Sequence, residues 1–320
     1  MNCLCCNKPL NESASAYERD VQWHKKCMRH FFGTTALPAL DISESTLKSI
    51  AIESTNKGYT VPGVQKKLSL HLTEGKEPRL TLVNYPAGYI LKPQTEEYEH
   101  LPEAEFLVMH LAKSTGIKTV PFALIKMNGT FAYITKRIDR VVQKSGVKML
   151  AMEDFCQLEE RLTQDKYKGS YERCANIITR YSVRPGFDVS ELFVRLVFSF
   201  VTGNSDMHLK NFSLIETAEK SGEYVLSDAY DMLPVNAVLP EDSEQFALTM
   251  NGKKSAIRKK DFLVFAETIA LQKTVAEKIL KDIAARKEAY LAMCAESYLP
   301  EKMKCSLKGI IEERTALLEA

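Results

Sequence analysis

The chain has 320 residues, 45% hydrophobic and 26% charged, with a formal net charge of +2; this gives room for a large core in one or two domains, and no ground for binding nucleic acid or an anionic membrane by bulk charge. Its longest apolar runs, Leu192 to Val201 and Phe262 to Leu271, are too short for a bilayer span. The start of the chain lacks the basic and apolar blocks of a secretory signal, so a cytoplasmic protein is expected.

Residues 1–32 form a compositional unit. Cys3, Cys5, Cys6 and Cys27, four of the eight cysteines, lie here with the single tryptophan, Trp23. In a reducing compartment, clustered cysteines bind metal more often than they pair as disulfides. Cys3-x-x-Cys6 is followed, after seventeen intervening residues, by His24-x-x-Cys27. Those are the two ligand pairs that a tetrahedral structural zinc takes, and so short a segment needs a staple to fold. Cys5 is an alternative to Cys6, and His30 is a weaker fourth ligand. Cys156, Cys174, Cys294 and Cys305 fall in helical or apolar context and read as small core residues.

From Leu37 to about Arg140, short strands surround one helix. Lys67 to Leu72 alternates polar and apolar residues, as do Arg79 to Leu82 and, more loosely, Tyr89 to Lys92. Glu74-Gly75-Lys76 and Pro86-Ala87-Gly88 supply the turns. Pro102 opens a helix with Ala104, Leu107, Val108, Leu111 and Ala112 on one face and Gly116 as its stop. Val120 to Ile125 and Phe131 to Ile134 flank Asn128-Gly129 as a hairpin.

From about Asp154 the pattern turns helical. Asp188 or Ser190 is the expected cap of a helix that buries Leu192, Phe193, Leu196, Val197 and Phe200. Residues 261–319 hold two or three amphipathic helices, interrupted near Leu299-Pro300, and the stripe Phe262, Phe265, Ile269 reads as core. The expected organisation is a Cys/His segment over residues 1–32, a strand-rich part over 33–137 and a helical part over 138–320.

The most informative stretch is Gly203 to Phe212. It sets Asp206 and Asn211 five residues apart, after an apolar helix-like run and before a strand-like one. That is the D-x-x-x-x-N spacing of kinase catalytic loops, in which the Asp accepts the proton of the attacking hydroxyl and the Asn holds a metal ion against the phosphates. Asp231 follows the short apolar run Tyr224-Val225-Leu226, where a second metal-binding carboxylate is expected. Two acids and a carboxamide suit Mg²⁺. Any one of these residues also suits a turn or a cap; together, at this spacing, they point to a phosphoryl transferase. His208 is placed to contact phosphate or support the loop, and Lys210 to counter phosphate charge. Lys92, ending a strand before Pro93, is the candidate cation for the nucleotide phosphates. Glu103 or Glu105 on the following helix is its ion-pair partner. The loop Gly58 to Lys67 matches neither the dinucleotide nor the P-loop fingerprint.

These segments resemble the HipA-like serine/threonine kinases, toxin components of bacterial toxin–antitoxin systems. The similarity covers most of residues 58–235. Thr60 to Leu70 is similar to the family's phosphate loop, followed by Tyr89 to Pro93, Pro102 to Leu107, Arg137 to Arg140, Met152 to Gln157, Gly203 to Ser213 and Tyr230-Asp231. The resemblance implies an α+β, bilobal, protein-kinase-like fold with a mostly β small lobe and a helical large lobe, here preceded by the Cys/His segment. It implies ATP and Mg²⁺ as cofactors, Asp206 as catalytic acid/base and Lys92 on the ATP phosphates. Val64, Gln65 and Lys67 would contact nucleotide from the phosphate loop, and the backbone at Lys136, Arg137 and Ile138 would hold the adenine. His208 and Asn211 would line the phosphate and metal site, and Asp231 would bind Mg²⁺. Autophosphorylation is also implied: Thr60 matches one acceptor position in the phosphate loop, whereas Pro62 stands at another and cannot accept phosphate.

Longer family members begin with an extra N-terminal subdomain, for which this chain has too few residues before the phosphate loop. It is similar in this to the shorter HipT-type kinases, which implies two partners, a small HipS-like protein and a helix-turn-helix HipB-like antitoxin. The implied substrate is a protein such as an aminoacyl-tRNA synthetase; direct nucleic acid binding and membrane association are not expected. Two further readings remain. Asp206-x-His208-x-x-Asn211 also echoes the loop of phosphoinositide kinases, which leaves a lipid or small-molecule kinase open. The other is a non-catalytic binding module of kinase fold.

Overall fold

The computed structural model describes residues 1–41, 67–73, 78–82, 88–143 and 146–319. The chain divides into two compact units, Met1–Phe106 with Val120–Arg140, and Leu107–Thr119 with Val141–Ala320.

Among the described residues of the first unit, two short helices, α1 (Ala16–Val21) and α2 (Lys25–Phe32), accompany a six-stranded sheet. Its strands are β1 (Ala39–Asp41), β2 (Leu68–Leu72), β3 (Arg79–Leu82), β4 (Tyr89–Lys92), β5 (Phe122–Met127) and β6 (Thr130–Lys136). Their order is β1-β3-β2-β4-β6-β5, with β1 parallel to β3 and the other pairs antiparallel. The alternation read from the sequence sets the pleat: Leu68 and Leu70 are buried while Ser69 between them is exposed. β4 and β6 run in register from Tyr89 opposite Lys136 to Lys92 opposite Tyr133. The β5–β6 hairpin turns at Asn128 and Gly129, with φ of 50° and 81°. A tight hairpin with the right-handed twist of its strands needs those positive angles, and Asn-Gly adopts them at little cost.

The Cys/His segment belongs to this unit. The Leu124 amide donates to the Leu4 carbonyl at 2.8 Å, and Trp23 Nε1 donates to the Leu124 carbonyl at 3.2 Å. β5 is an edge strand, so these bonds cap backbone groups that would otherwise invite another strand. Trp23, Phe31, Phe32 and Tyr89 form a ring cluster with centroids 4.8 to 5.8 Å apart, and the Tyr89 hydroxyl donates to the Phe31 carbonyl. Helix α3 (Leu101–Thr115) carries Pro102 in its first turn and ends at Gly116, where φ is 100°.

A ribbon of β7 (Arg140–Gln143) and β8 (Gly146–Met149) follows. The second unit holds a three-stranded antiparallel sheet, ordered β11-β10-β9, of β9 (Met152–Asp154), β10 (Ser213–Glu216) and β11 (Tyr224–Leu226). Around it lie α4 (Phe155–Leu158), α5 (Tyr171–Tyr181), α6 (Pro185–Thr202) and α7 (Val235–Val238). Leu192, Phe193, Leu196, Val197 and Phe200 of α6 are fully buried, as their spacing predicts. Neither expected cap is used. The helix begins at Pro185, because the first turn is where a missing N–H costs nothing and φ is already helical. Asp188 lies inside that turn, buried, and accepts from Ser182 Oγ at 2.6 Å, Arg184 Nε at 3.0 Å and the Leu226 amide at 2.8 Å. It ties β11 to the helix.

The C-terminal region holds four helices, not two or three: α8 (Lys259–Thr268), α9 (Lys273–Ala284), α10 (Lys287–Ala295) and α11 (Glu301–Glu319). Ala270, at φ 57°, breaks the chain after α8 in a conformation usually left to glycine, so composition hides the break. Phe262 and Phe265 are core as expected, packing on Phe193 and Phe200 with centroids 5.4 to 6.1 Å apart. Cys156, Cys174 and Cys294 are buried, but Cys305 is exposed on α11, so it is not a core residue. Among the described residues, no helix is long and apolar enough to cross a membrane.

Candidate active site

The loop after α6 is tightly strapped. Gly203 ends the helix in the left-handed region at φ 71°, and its amide bonds back to Ser199 and Phe200. The Asp206 carbonyl accepts from the His208 amide at 2.8 Å and from Asn211 Nδ2 at 2.9 Å. The residue pair singled out by spacing is therefore joined directly. Because Nδ2 is spent on that carbonyl, the remaining polar atom of Asn211 is its carbonyl oxygen, the hard donor that Mg²⁺ takes. Tyr171, buried, donates to the Met207 carbonyl at 3.0 Å, and the Leu209 amide donates to the Lys166 carbonyl at 3.2 Å. Ser205 Oγ donates to Asp242 at 2.6 Å.

The Asp206 carboxylate is about one-third exposed. Its Oδ2 stands 3.9 Å from His208 Nε2, and its Oδ1 accepts from the Tyr167 hydroxyl at 2.8 Å. Tyr167 also meets the His208 ring edge-on, with centroids 5.1 Å apart. Burial, then the Asp206 charge, pushes the Tyr167 phenol well above its usual range, so it remains a donor. Sequence reasoning missed Tyr167. It lies thirty-nine residues before Asp206, in a turn with no pattern of its own, and no local signal announces it. Lys210 is engaged by Asp154 at 2.6 Å instead of standing free for phosphate charge; Asp154 also caps α4.

Asp231 follows β11 on a path fixed at several points. Buried Arg195 donates to the Ser227 carbonyl at 2.7 Å, and the Ala229 amide donates to the Lys118 carbonyl at 2.7 Å. The Tyr230 hydroxyl bonds Ser213 Oγ and donates to the Lys210 carbonyl at 3.1 Å. The side chain of the residue before Asp231 thus reaches the residue before Asn211 and ties the two segments that carry the metal-ligand candidates. Asp231 itself is left-handed at φ 60°, a conformation that Asp tolerates better than most residues.

In the first unit, Lys92 ends β4 and is buried, with both Glu105 oxygens at 2.6 and 2.8 Å from its Nζ. Its ammonium lies 5.3 Å from the centre of the Tyr133 ring. Helix geometry settles which glutamate it meets: residues two apart point to nearly opposite sides, so Glu105 faces β4 while Glu103 pairs with His100 at 3.0 Å. The Lys136 and Arg137 amides donate to the Pro121 and Gly88 carbonyls, and the Arg137 guanidinium forks onto Asp139 at 2.6 and 2.9 Å. Burial lowers the Lys136 ammonium. Lys67 is described and exposed. The rest of the expected phosphate loop, including Thr60, Pro62, Val64 and Gln65, lies outside the described residues. In the same unit, Cys3, Cys6, His24 and Cys27 bring one ligand atom each to within 4.8 Å of one another.

Set against known proteins, the chain is 27% identical to a protein of Haemophilus influenzae named "Putative kinase", over 99% of this chain and 97% of that one. It is 26% identical to the serine/threonine-protein kinase toxin HipA of Shewanella oneidensis, over 64% of this chain and 49% of that one, so it spans about half the length of that relative. In a crystal structure of the Shewanella oneidensis toxin–antitoxin system, a complex of HipA, HipB and operator DNA, one chain superposes on 81% of this chain and 66% of its own length. The TM-score is 0.67 at 22% identity, a likeness of fold, and that fold is α+β and kinase-like. Residues 59–290, which include the Asp206 loop, Asp231 and the Lys92–Glu105 pair, match the family described as HipA-like C-terminal domain. The chain belongs to that family.

Proposed function

We propose that this protein is an ATP- and Mg²⁺-dependent serine/threonine kinase acting as a toxin. The observation that carries the reading is the strapped loop in which Asn211 is bonded to the Asp206 backbone while the Asp206 carboxylate stays partly open. In phosphoryl transfer the protein's task is positioning and charge, with little covalent chemistry of its own. Asp206 accepts the proton of the attacking hydroxyl, held by Tyr167. The Asn211 carbonyl oxygen and the Asp231 carboxylate would hold Mg²⁺, which would supply charge neutralisation at the phosphates. Lys92, oriented by Glu105, contacts the ATP phosphates, with Val64, Gln65 and Lys67 of the phosphate loop. The adenine contact falls to the backbone at Lys136, Arg137 and Ile138; the amides of Lys136 and Arg137 already donate to the Pro121 and Gly88 carbonyls, which leaves the carbonyl groups and the Ile138 amide for it.

The likeness to the Shewanella serine/threonine-protein kinase toxin HipA supports a protein substrate, and the resemblance stated above suggests a translation component such as an aminoacyl-tRNA synthetase, with Thr60 as an autophosphorylation site. A HipB-like antitoxin is the expected partner, since HipA is found with HipB in the Shewanella complex; a HipS-like protein is the second. The test is phosphate transfer from labelled ATP, with growth measured in parallel. Asp206→Asn should lower incorporation by roughly 10²–10⁴, the usual worth of a general base, and relieve growth arrest. Undiminished incorporation in that variant refutes the role of Asp206. A phosphoproteome that shows no protein phosphorylated by the wild type alone refutes protein kinase activity.

A further inference from the structure

The phosphoryl-transfer reading leaves one constructed feature of the first unit unused. Cys3, Cys6, His24 and Cys27 come from two separate pieces of local structure. Cys3 and Cys6 sit on a turn closed by the Asn7 amide donating to the Cys3 carbonyl at 2.9 Å. His24 is the residue before α2, and Cys27 lies in its first turn. Their three Sγ atoms and a ring nitrogen of His24 all lie within 4.8 Å of one another. Cys6 Sγ is 3.4 Å and Cys27 Sγ 4.0 Å from Nδ1. A tetrahedral zinc with bonds of about 2.3 Å to sulfur and about 2.0 Å to nitrogen sets its ligand atoms roughly 3.5–3.8 Å apart, so little movement is needed to close the site. The His24 backbone amide donates to Cys3 Sγ at 3.4 Å, the kind of bond that steadies a metal thiolate. Three thiols and an imidazole gathered at one point serve no apolar packing purpose.

We infer that Cys3, Cys6, His24 and Cys27 bind one structural Zn²⁺ that clamps the N-terminal segment onto the edge of the six-stranded sheet. Three sulfurs and one nitrogen match zinc's ligand preference, and four protein ligands leave no open position for catalysis. The clamp has a definite load. Leu4, next to Cys3, closes the edge of β5, and Trp23, next to His24, bonds the same residue, Leu124. Phe31 and Phe32, on the helix that carries Cys27, pack against Tyr89 of β4, three residues before Lys92. The metal therefore braces the strand that carries the lysine, without touching it.

The experiment is metal analysis of the purified full-length chain, together with the fluorescence of Trp23, the single tryptophan and the neighbour of one ligand. The expected result is one zinc per chain, and a tetrahedral thiolate spectrum when cobalt replaces zinc. Cys6→Ser and Cys27→Ser should each lower metal content well below one equivalent, since each removes one of the four ligands, while Cys5→Ser keeps one equivalent. Should the serine variants fail to fold, chelator extraction of the wild type serves instead, and Trp23 emission should shift to the red as metal leaves. A folded wild type with no zinc after growth in zinc-supplemented medium overturns the inference. So does iron in place of zinc, or metal lost from Cys5→Ser and kept by Cys6→Ser. Kinase activity enters none of these readouts, so the two proposals fail separately.

Discussion

Tyr167 and Asp206 show how much of an active site rests on one hydrogen bond. The phenol donates to a partly exposed carboxylate, and a bond to a charged group is worth about 1.5–3 kcal/mol, toward the lower end where water competes. Tyr167→Phe removes the donor and leaves the ring that meets His208. The variant should lose about tenfold in turnover with little change in the KM for ATP, since the ring and the loop stay in place. The phenol is pushed above its ordinary range, so its bond is fully present below pH of about 10 and is lost only beyond it. Its removal withdraws support from the ionised carboxylate alone, so the acid limb of the rate profile should move to higher pH. An unmoved acid limb would mean that Asp206 is not the group whose ionisation that limb reports. Lys92 and Glu105 make a harsher case. Both are buried, and breaking a buried ion pair by removing one member typically costs about 3–5 kcal/mol. Lys92→Met should therefore lower thermal stability markedly, and Lys92→Met with Glu105→Leu should recover most of that loss. Nucleotide binding should stay lost in both, which separates the structural role of the pair from its chemistry.

At the scale of elements, the α6 terminus decides where the loop begins. Gly203 is left-handed, and a Cβ built there meets Ile310 Cγ2 at 3.2 Å. Gly203→Ala adds backbone strain of about 1 kcal/mol or more to that crowding, so chemical denaturation should show a loss of roughly 1–3 kcal/mol. The Asn236 amide donates to the Gly203 carbonyl at 3.0 Å, and Arg314 holds the Asn236 side chain at 2.6 Å. A shift at position 203 thus reaches the frame behind Asp206, and turnover should fall with stability. Much of this element structure is legible in the chain itself. Period-two strands, the Asn-Gly hairpin and the α3 stop are local patterns, and each is found where the residues place it. The start of α6 is not legible, because Asp188 looks like a cap, whereas its carboxylate is spent on Ser182, Arg184 and a strand thirty-eight residues away. The extra C-terminal helix is not legible, because Ala270 turns the chain without a glycine to mark it.

The division of the whole molecule into two compact units follows from where contacts concentrate, and motif order along the chain carries only part of it. Spacing places Asp206 with Asn211, and Cys3 with Cys6, because those partners lie within a few residues. It is silent on Tyr167 and leaves Glu103 and Glu105 equivalent, since both answers depend on what packs against a helix or loop from far along the chain. The two units also make a prediction about stability. Lys92 and Glu105 lie in one unit, and Gly203 with its Ile310, Asn236 and Arg314 neighbours lies in the other. Free energies of opening differ between cooperative parts of a protein, and changes at sites that share no partners add. Hydrogen exchange followed by mass spectrometry should therefore show Lys92→Met weakening protection of the amides in β2, β4 and β6, with little change in α6 and α8. Gly203→Ala should do the reverse, and the double variant should show the sum of the two. Protection lost throughout the chain from either single change would mean that the units open as one, and the local reading of each substitution would have to be given up.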